Sequence, residues 1–212
     1  MSDWIDKIPA SLFLKYEIHN FNHAIEILSQ AYKTEYNEII GALESFTLTI
    51  SDIVTGGGNE SAVPKKIAAY LHPLEWQEVK ITGDLLVKLY RRNQSQITEM
   101  TIKDFIDGHN IDYVKNRVAV DMEWNSKDQT FDRDLYAFRT FYECGIISCG
   151  VIITRSEALN PVFGKLGVMK KYGASTTWMG KLLPRINSGR HGGCPLLAIG
   201  ITPVSIIDLE VE

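Results

Sequence analysis

The chain has 212 residues, of which 45% are hydrophobic and 23% are charged, and its formal net charge at pH 7 is −4. These values are typical of an ordinary folded domain with a substantial core. No apolar run reaches the ~18 residues that a membrane-spanning helix needs, and the first residues lack the basic and apolar segments of a signal peptide. We therefore expect a cytoplasmic protein with no membrane partner.

Three cysteines, Cys144, Cys149 and Cys194, occur without a Cys-x-x-Cys pair. This pattern predicts free thiols in a reducing compartment rather than disulfides or a zinc site. Because Cys149 lies inside an apolar run, we expect it in the core.

Hydrophobic periodicity predicts structural elements along the chain. We expect, in order, a helix at 22–46, an extended segment at 47–54, a glycine-rich loop at 55–59, a helix at 62–71, a mixed segment at 79–90, a segment at 97–105 followed by a turn at 107–110, a strand at 117–124, a helix at 131–142, a strand at 146–154, a helix at 174–186 and a strand at 195–201. Around the carboxylate segment at 111–124 the order is strand, strand, helix, buried strand, helix, buried strand. This order predicts an α/β fold with a central mixed β-sheet flanked by helices.

Asp112, Asp121 and Glu123 form the most informative pattern in the chain. Alternate residues of a strand share one face, so Asp121 and Glu123 project together at the end of an apolar run. Asp112 lies nine residues before Asp121, on a segment that can turn back antiparallel beside it. Three converging carboxylates provide the oxygen ligands that a hard cation such as Mg²⁺ takes. The alternative is a set of solvated carboxylates on a half-exposed strand.

The C-terminal third of the chain is basic although the whole chain is acidic. No acidic residue occurs between Glu157 and Asp208, whereas this stretch contains Lys165, Lys170, Lys171, Lys181, Arg185 and Arg190. Such a local positive field is typical of surfaces that attract phosphates. The alternative is a chance run of cations on a solvated face.

Two stretches of the chain resemble one enzyme family. Residues 112–124 resemble the catalytic strand of the BglII and BstYI type II restriction endonucleases, in which an Asp is followed nine residues later by an acidic residue and then, two further on, by Glu or Gln. Residues 188–203 are similar to a stretch of BstYI, and residues 150–155 resemble the buried strand between them. Position 121 is Asp where the family usually has Glu. Position 123 is Glu where the closest relatives have Gln and most nucleases of the wider class have Lys.

The resemblance implies a fold and an activity. It implies a restriction-endonuclease-like, PD-(D/E)xK core and a single endonuclease domain over 1–212, with a helical N-terminal part at 1–60 and a catalytic core at 61–203. It implies a homodimer in the cytoplasm of a bacterium or archaeon that uses Mg²⁺ to cut palindromic double-stranded DNA. The site would have a GATC core and the cut would leave 5′ overhangs.

The resemblance also assigns residues to roles. Asp112 and Asp121 would hold the metal and, with Glu123, form the catalytic set, and Glu123 would act either as general base or as a further metal ligand. Sequence reading would fall to polar side chains that follow the catalytic strand or open the basic third, with Arg190 in a glycine-rich loop as a further DNA contact. These predicted DNA contacts are Asn125, Ser126, Lys127, Ser175, Thr176 and Arg190.

Several alternatives stay open at this stage. Ser175 could instead be the N-cap of the helix predicted at 174–186. The aromatic side of the helix at 131–142 could serve the core and a dimer interface together, or the core alone. The protein as a whole could be a structure- or damage-directed DNA nuclease, or a DNA-binding protein without catalysis.

Overall fold

The computed structural model describes residues 4–55, 61–93 and 95–209, so the predicted glycine-rich loop lies outside the described residues except for Thr55. The helices are α1 (Ala10–Lys15), α2 (Ala24–Ala31), α3 (Lys33–Ser45), α4 (Ile50–Val54), α5 (Ala62–Leu71), α6 (Thr130–Glu143), α7 (Asn160–Lys165) and α8 (Met179–Asn187). The strands are β1 (Tyr16–Phe21), β2 (Gln77–Lys80), β3 (Gly83–Leu89), β4 (Thr98–Ile106), β5 (Asn110–Lys115), β6 (Val118–Glu123), β7 (Cys149–Arg155) and β8 (Leu196–Ile201). Short 3-10 helices occur at Ile5–Lys7, His72–Leu74, Glu157–Leu159 and Pro203–Ser205.

A mixed six-stranded sheet forms the centre of the molecule, in the order β1-β8-β7-β6-β5-β2. The three central strands β6, β7 and β8 run parallel. β1 pairs antiparallel with β8 at one edge, and β5 and β2 continue antiparallel beyond β6 at the other. All residues of β6, β7 and β8 are buried, as expected for parallel strands that are covered on both faces.

Each face of the sheet packs against its own set of helices. Alternating residues such as Val120 and Val151 contribute to a core shared with α2, α3 and α5. The opposite residues, such as Ala119 and Ile152, pack with α6 and α8. This arrangement confirms the predicted α/β fold with helices on both sides of a mixed sheet.

β5 and β6 form a tight hairpin that brings Asp112 beside Asp121, nine residues later in the sequence. Asn116 adopts the left-handed backbone conformation in the turn, with φ 49°, which Asn tolerates better than most residues. Tyr113 pairs with Val120, and the register continues toward the turn as far as Lys115 opposite Val118. Continued in the other direction, this register sets Asp112 opposite Asp121.

β3 and β4 pair with each other to form a ribbon outside the central sheet. The ribbon leaves after β2 and returns before β5, so it starts from the end of the sheet where Asp112 lies. Large apolar side chains of this ribbon are exposed, among them Leu86 at 53% and Phe105 at 57%.

Most of the predicted elements are confirmed, with shifts at their ends. The hairpin of the carboxylate segment is present, and the helix at 62–71 coincides with α5. The predicted strands and the aromatic helix correspond to β6, α6, β7 and β8. The three cysteines are free, and Cys149 is buried as expected.

Three predictions for local structure are wrong. The helix at 22–46 is two helices, because Tyr32 leaves the helical conformation between α2 and α3 and its hydroxyl lies 2.7 Å from Ser148 Oγ. The extended segment at 47–54 contains α4, which Thr49 and Asp52 begin with a reciprocal capping box. The helix at 174–186 begins only at Met179.

The N-terminal part contributes more than helices to the fold. β1, for which the periodicity gave no strand, forms an antiparallel edge of the central sheet with β8. The division between an N-terminal part at 1–60 and a core at 61–203 stays a prediction. Within the described residues, no helix is both long and apolar enough to cross a membrane.

We predict that Gly150→Ala destabilises the fold, because a Cβ at this position would lie 2.4 Å from ring carbons of Phe138 on α6. The loss in free energy of unfolding should be about 1–3 kcal/mol, the usual cost of overpacking a core, and urea unfolding would measure it. Gly164→Ala in α7 is the matched control, since a Cβ there meets nothing within 4 Å. Equal stability of both variants would contradict the proposed close packing of α6 on β7.

Candidate active site

The β5–β6 hairpin brings the three predicted carboxylates together. The backbone N–H of Asp112 donates to Asp121 Oδ1 at 3.1 Å, and the N–H of Met122 donates to Asp112 Oδ2 at 3.3 Å. Asp121 and Glu123 alternate along β6 and are buried, whereas Asp112 is exposed. The convergence that the sequence pattern predicts is therefore present in the structure.

A fourth carboxyl group, from Asp134, lies beside this set. Asp134 is on α6 and is 1% exposed. Its Oδ1 accepts hydrogen bonds from Nε and Nη2 of the neighbouring Arg133, at 3.3 and 3.2 Å. The same Nη2 lies 3.9 Å from Glu123 Oε1, so the guanidinium of Arg133 stands between the two acids.

Burial and mutual repulsion shift the pKa values of these acids upward. Desolvation, followed by the charges of Asp134 and Asp112, raises the pKa of Asp121 well above its usual range. Desolvation also raises the pKa of Glu123, although a hydrogen bond from Ser126 opposes it. Burial and the charge of Glu123 raise the pKa of Asp134 to about 8. Because like charges at short range repel, the cluster favours a bound cation or a bound proton.

The donor set fits a hard divalent cation. Among the described residues, Asp121 Oδ2, Glu123 Oε2 and Asp134 Oδ2 are buried oxygens without a hydrogen-bond partner, and such orphaned oxygens are costly unless a cation or proton approaches them. Carboxylate oxygens are the ligands that Mg²⁺ and related ions prefer. No group of three His, Cys, Asp or Glu side chains in the described part of the chain is already arranged around one ion position. Asp112 and Asp121 each use one oxygen for a backbone N–H, which leaves a second oxygen for an ion.

An open cleft of about 700 Å³ gives access to the acids. Asp112 and Glu123 line it on one side, and Arg133 contributes from α6. Further lining comes from both ends of α5, from β2 and from the segment after β6, and includes Glu78, Asn125, Ser126 and Lys127. The predicted catalytic strand thus opens into the same cleft as the first group of predicted DNA contacts.

The two predicted recognition loops are joined side by side. Lys127 and Thr176 form an antiparallel bridge, the N–H of Thr177 donates to the carbonyl of Ser126 at 2.9 Å, and the N–H of Asp128 donates to the carbonyl of Ser175 at 2.9 Å. Ser175 is exposed and does not cap α8, whose N-cap is Trp178. The capping alternative for Ser175 is therefore wrong, and the paired segments 125–127 and 175–177 are called the recognition loops below.

A buried arginine supports the recognition loops from behind. Arg155, at the end of β7, is 1% exposed and donates from Nη2 to the carbonyl of Tyr172 at 3.1 Å and to Thr176 Oγ1 at 2.6 Å. Its guanidinium also lies against the rings of Phe163 and Tyr172. Burial lowers the pKa of Arg155 to about 10, and no carboxylate in the described part of the chain pairs with it.

Two other predictions meet a different environment. Arg190 does not line the cleft, and its guanidinium bonds to Asp132 at the start of α6. On α6, the side chains of Phe131, Phe138 and Phe141 are fully buried, so the greater part of its aromatic side is core. Tyr136 and Tyr142 remain exposed on the same helix.

Sequence reasoning missed Glu78, Arg133, Asp134 and Arg155. The sequence does contain a signal for Asp134, because it falls on the apolar stripe of α6 between Phe131 and Phe138. Burying a carboxyl group at such a position costs free energy unless it has a partner. Arg133 and Glu78 carry no comparable pattern, since their relation to the acids depends on how α6 and β2 pack. Arg155 ends an apolar strand, but nothing local indicates its target.

We predict that stability without metal falls as pH rises from about 5 to about 8. The folded chain keeps a proton on Asp134 up to a pKa of about 8, whereas the unfolded chain releases it near 3.8. The folded state then binds more protons across this window, so raising the pH destabilises it. Asp134→Asn should reduce the slope and stabilise the protein at pH 8 by a few kcal/mol at most, measured by urea unfolding in EDTA at several pH values. Glu143→Gln, at the exposed end of α6, is the control, and an unchanged slope in Asp134→Asn would refute the assignment.

Comparison with known proteins agrees with this geometry. A model of the family described as "Restriction endonuclease BglII/BglIII" matches residues 16–201. A comparison with curated protein sequences gives no significant match. The matched range includes the whole central sheet, the carboxylate hairpin and both recognition loops, and members of this family are nucleases that act on DNA and generally use a divalent metal. The chain therefore belongs to the BglII/BglIII restriction endonuclease family.

Proposed function

We propose that the chain is a type II restriction endonuclease that uses Mg²⁺ to cut palindromic double-stranded DNA at a site with a GATC core, leaving 5′ overhangs. The observation that carries this proposal is the convergence of Asp112, Asp121 and Glu123 at a cleft that also contains the first recognition loop. An enzyme that cuts DNA at its recognition sequence needs its catalytic acids and its base-contacting side chains in one cleft. The GATC core and the overhangs rest on the resemblance of residues 112–124 and 188–203 to the BglII and BstYI enzymes.

The residues present suit metal-assisted hydrolysis of a phosphodiester. Asp112 and Asp121 would hold the ion, which supplies charge neutralisation at the scissile phosphate and makes a nearby water more acidic. Glu123 orients the attacking water and accepts its proton. Its unpartnered Oε2 and raised pKa support this role, since a base acts best when its pKa approaches the working pH.

Sequence reading falls to the recognition loops. Asn125 and Ser126 follow the catalytic strand, and Ser175 and Thr176 lie beside them, so short amide and hydroxyl groups can face base edges in the major groove. Lys127 contacts backbone phosphate. Arg190 also contacts phosphate in this proposal, and it exchanges its ion pair with Asp132 when DNA binds.

A homodimer matches a palindromic site, because a twofold axis relates both the two protomers and the two half-sites. The exposed Tyr136 and Tyr142 on α6 offer aromatic surface for such an interface. We place this dimer in the cytoplasm of a bacterium or archaeon.

The first experiment is digestion of unmethylated phage DNA with Mg²⁺ and, in parallel, with EDTA. Discrete fragments that appear only with Mg²⁺ are the expected result, and sequencing their ends gives the site and the overhang. A smear would replace the proposal with a nuclease of low sequence specificity. Intact DNA that the protein nevertheless binds, across several substrates and methylation states, would replace it with a DNA-binding protein.

We predict that Asp121→Asn abolishes cleavage and leaves DNA binding in place. The substitution keeps the shape of the side chain but removes the charge that attracts the cation, and the single-turnover cleavage rate should fall at least ~100-fold. Binding would be measured by gel shift with Ca²⁺, and Glu143→Gln serves as the matched control on the surface of α6. Cleavage with Mg²⁺ at the rate of the unmodified protein would rule out Asp121 as a metal ligand.

A further inference from the structure

Arg133 is a cation at the acid cluster that no step described so far uses. It lies in the first turns of α6, lines the cleft with Asp112 and Glu123, and has a side chain that is 57% exposed. Nε and Nη2 donate to Asp134 Oδ1, whereas Nη1 donates to no described residue. Part of the guanidinium fork is therefore free to face a molecule in the cleft.

The negative charge of the cleft indicates what the free N–H groups of Arg133 would bind. Glu78, Asp112 and Glu123 line the cleft, and Asp121 and Asp134 lie behind them. An approaching phosphodiester adds a further negative charge, and the transition state of its hydrolysis concentrates more charge on the non-bridging oxygens. Asp112 and Asp121 would hold a cation at the hairpin, whereas Arg133 lines the cleft from α6. Arg133 is the cationic side chain that lies within 4 Å of these acids in the described part of the chain.

The acids also keep Arg133 charged and in place. Although burial works in the opposite direction, the charges of Asp134 and Glu123 raise the pKa of Arg133. The hydrogen bonds to Asp134 restrict the side chain, so less rotational freedom is lost when it meets a phosphate. The N–H groups of Nη1 have fixed directions in the guanidinium plane, so they suit a phosphate oxygen better than a point charge does.

We propose that Arg133 is a catalytic residue that donates hydrogen bonds to a non-bridging oxygen of the scissile phosphate. This inference rests on the proposed function. In the step that it assists, the oxygen of the attacking water forms a bond to phosphorus and gives its proton to Glu123. The bond between phosphorus and the O3′ leaving group breaks, and O3′ takes a proton from solvent. Arg133 gives up no proton and stabilises the charge that develops on the phosphoryl oxygens.

A purely structural role makes a different prediction. Arg133 could serve only to neutralise Asp134, in which case its loss would matter through the uncompensated carboxylate alone. The structure separates the two roles because they use different atoms, Nε and Nη2 for Asp134 and Nη1 for a ligand. If the role is structural, substituting Arg133 should have no effect on cleavage in a variant that lacks the charge of Asp134. If the role is catalytic, the substitution should slow cleavage in that variant as well.

The test is a double-mutant cycle read by single-turnover cleavage at saturating DNA and Mg²⁺. Arg133→Ala should slow cleavage about 100-fold, the usual effect of removing one preorganised donor to a transition-state oxyanion, while the Kd for DNA in Ca²⁺ changes far less. The cleavage rate of the double variant Arg133→Ala/Asp134→Asn should be lower than that of Asp134→Asn by the same factor. Added guanidinium should restore part of the rate of Arg133→Ala, relative to sodium at equal ionic strength. Arg139→Ala is the matched control, since Arg139 lies on α6 with a half-exposed side chain paired to Glu143 at 2.8 Å.

Each outcome decides between the roles. An unmodified protein that cleaves, together with an Arg133→Ala variant that cleaves as fast, would refute the proposal and leave the proposed function standing. Equal rates for Asp134→Asn and the double variant would reduce Arg133 to a neutralising partner. An unmodified protein that cleaves no DNA would remove the proposed function and this inference with it. Guanidinium rescue also shows that Arg133→Ala is folded.

Discussion

The repulsion among four carboxyl groups at the end of one β-hairpin is the constraint on which the site depends. Asp121, Glu123 and Asp134 are nearly or fully buried, and Asp112 lies next to them. Bringing such groups together costs free energy, which appears here as raised pKa values and as buried oxygens without partners. A chain that holds this arrangement through the packing of a rigid sheet stores a strong preference for cations. Bound cations are needed for a phosphodiester to enter this acidic cleft, because the carboxylates would otherwise repel its negative charge.

The recognition loops depend on a second buried charge of opposite sign. Arg155 has no carboxylate partner among the described residues. Its Nη2 donates to neutral oxygens and its guanidinium lies against two aromatic rings, whereas its Nε is buried without an acceptor. This arrangement ties Thr176 to the end of β7 and, through the bridge between Thr176 and Lys127, also ties the end of the first loop to it. Since β7 neighbours β6 in the sheet, the loops that would read bases and the acids that would cut are attached to adjacent strands. The recognition loops and the acid cluster therefore share one support, the central sheet.

The sequence was informative where physical causes are local. Alternation along residues 118–123 and the spacing from Asp112 predicted the carboxylate hairpin, and uniform apolar runs predicted β7 and β8. Residues 47–54 alternate like an extended segment. A helix, α4, forms there instead, because the capping box of Thr49 and Asp52 stabilises its first turn. The sequence does not predict β1, because its residues have the polar pattern of an edge strand. Its partner β8 also lies near the other end of the chain. Arg133 and Arg155 were beyond reach for the same reason, because their partners are set by the packing of helices and loops.

Helix α6 links the packing of the core to the chemistry of the cleft. Its buried side contacts β7 so closely that only a glycine fits at position 150 against Phe138. One turn before Phe138, the same buried side presents Asp134 to Asp121, and the adjacent Arg133 reaches the cleft. A change in the height of α6 above the sheet would alter the separation between the guanidinium and Glu123, and the electrostatic interaction between them depends on that separation. The small residue at position 150 is therefore as much a part of the active-site geometry as the charged groups that it helps to position.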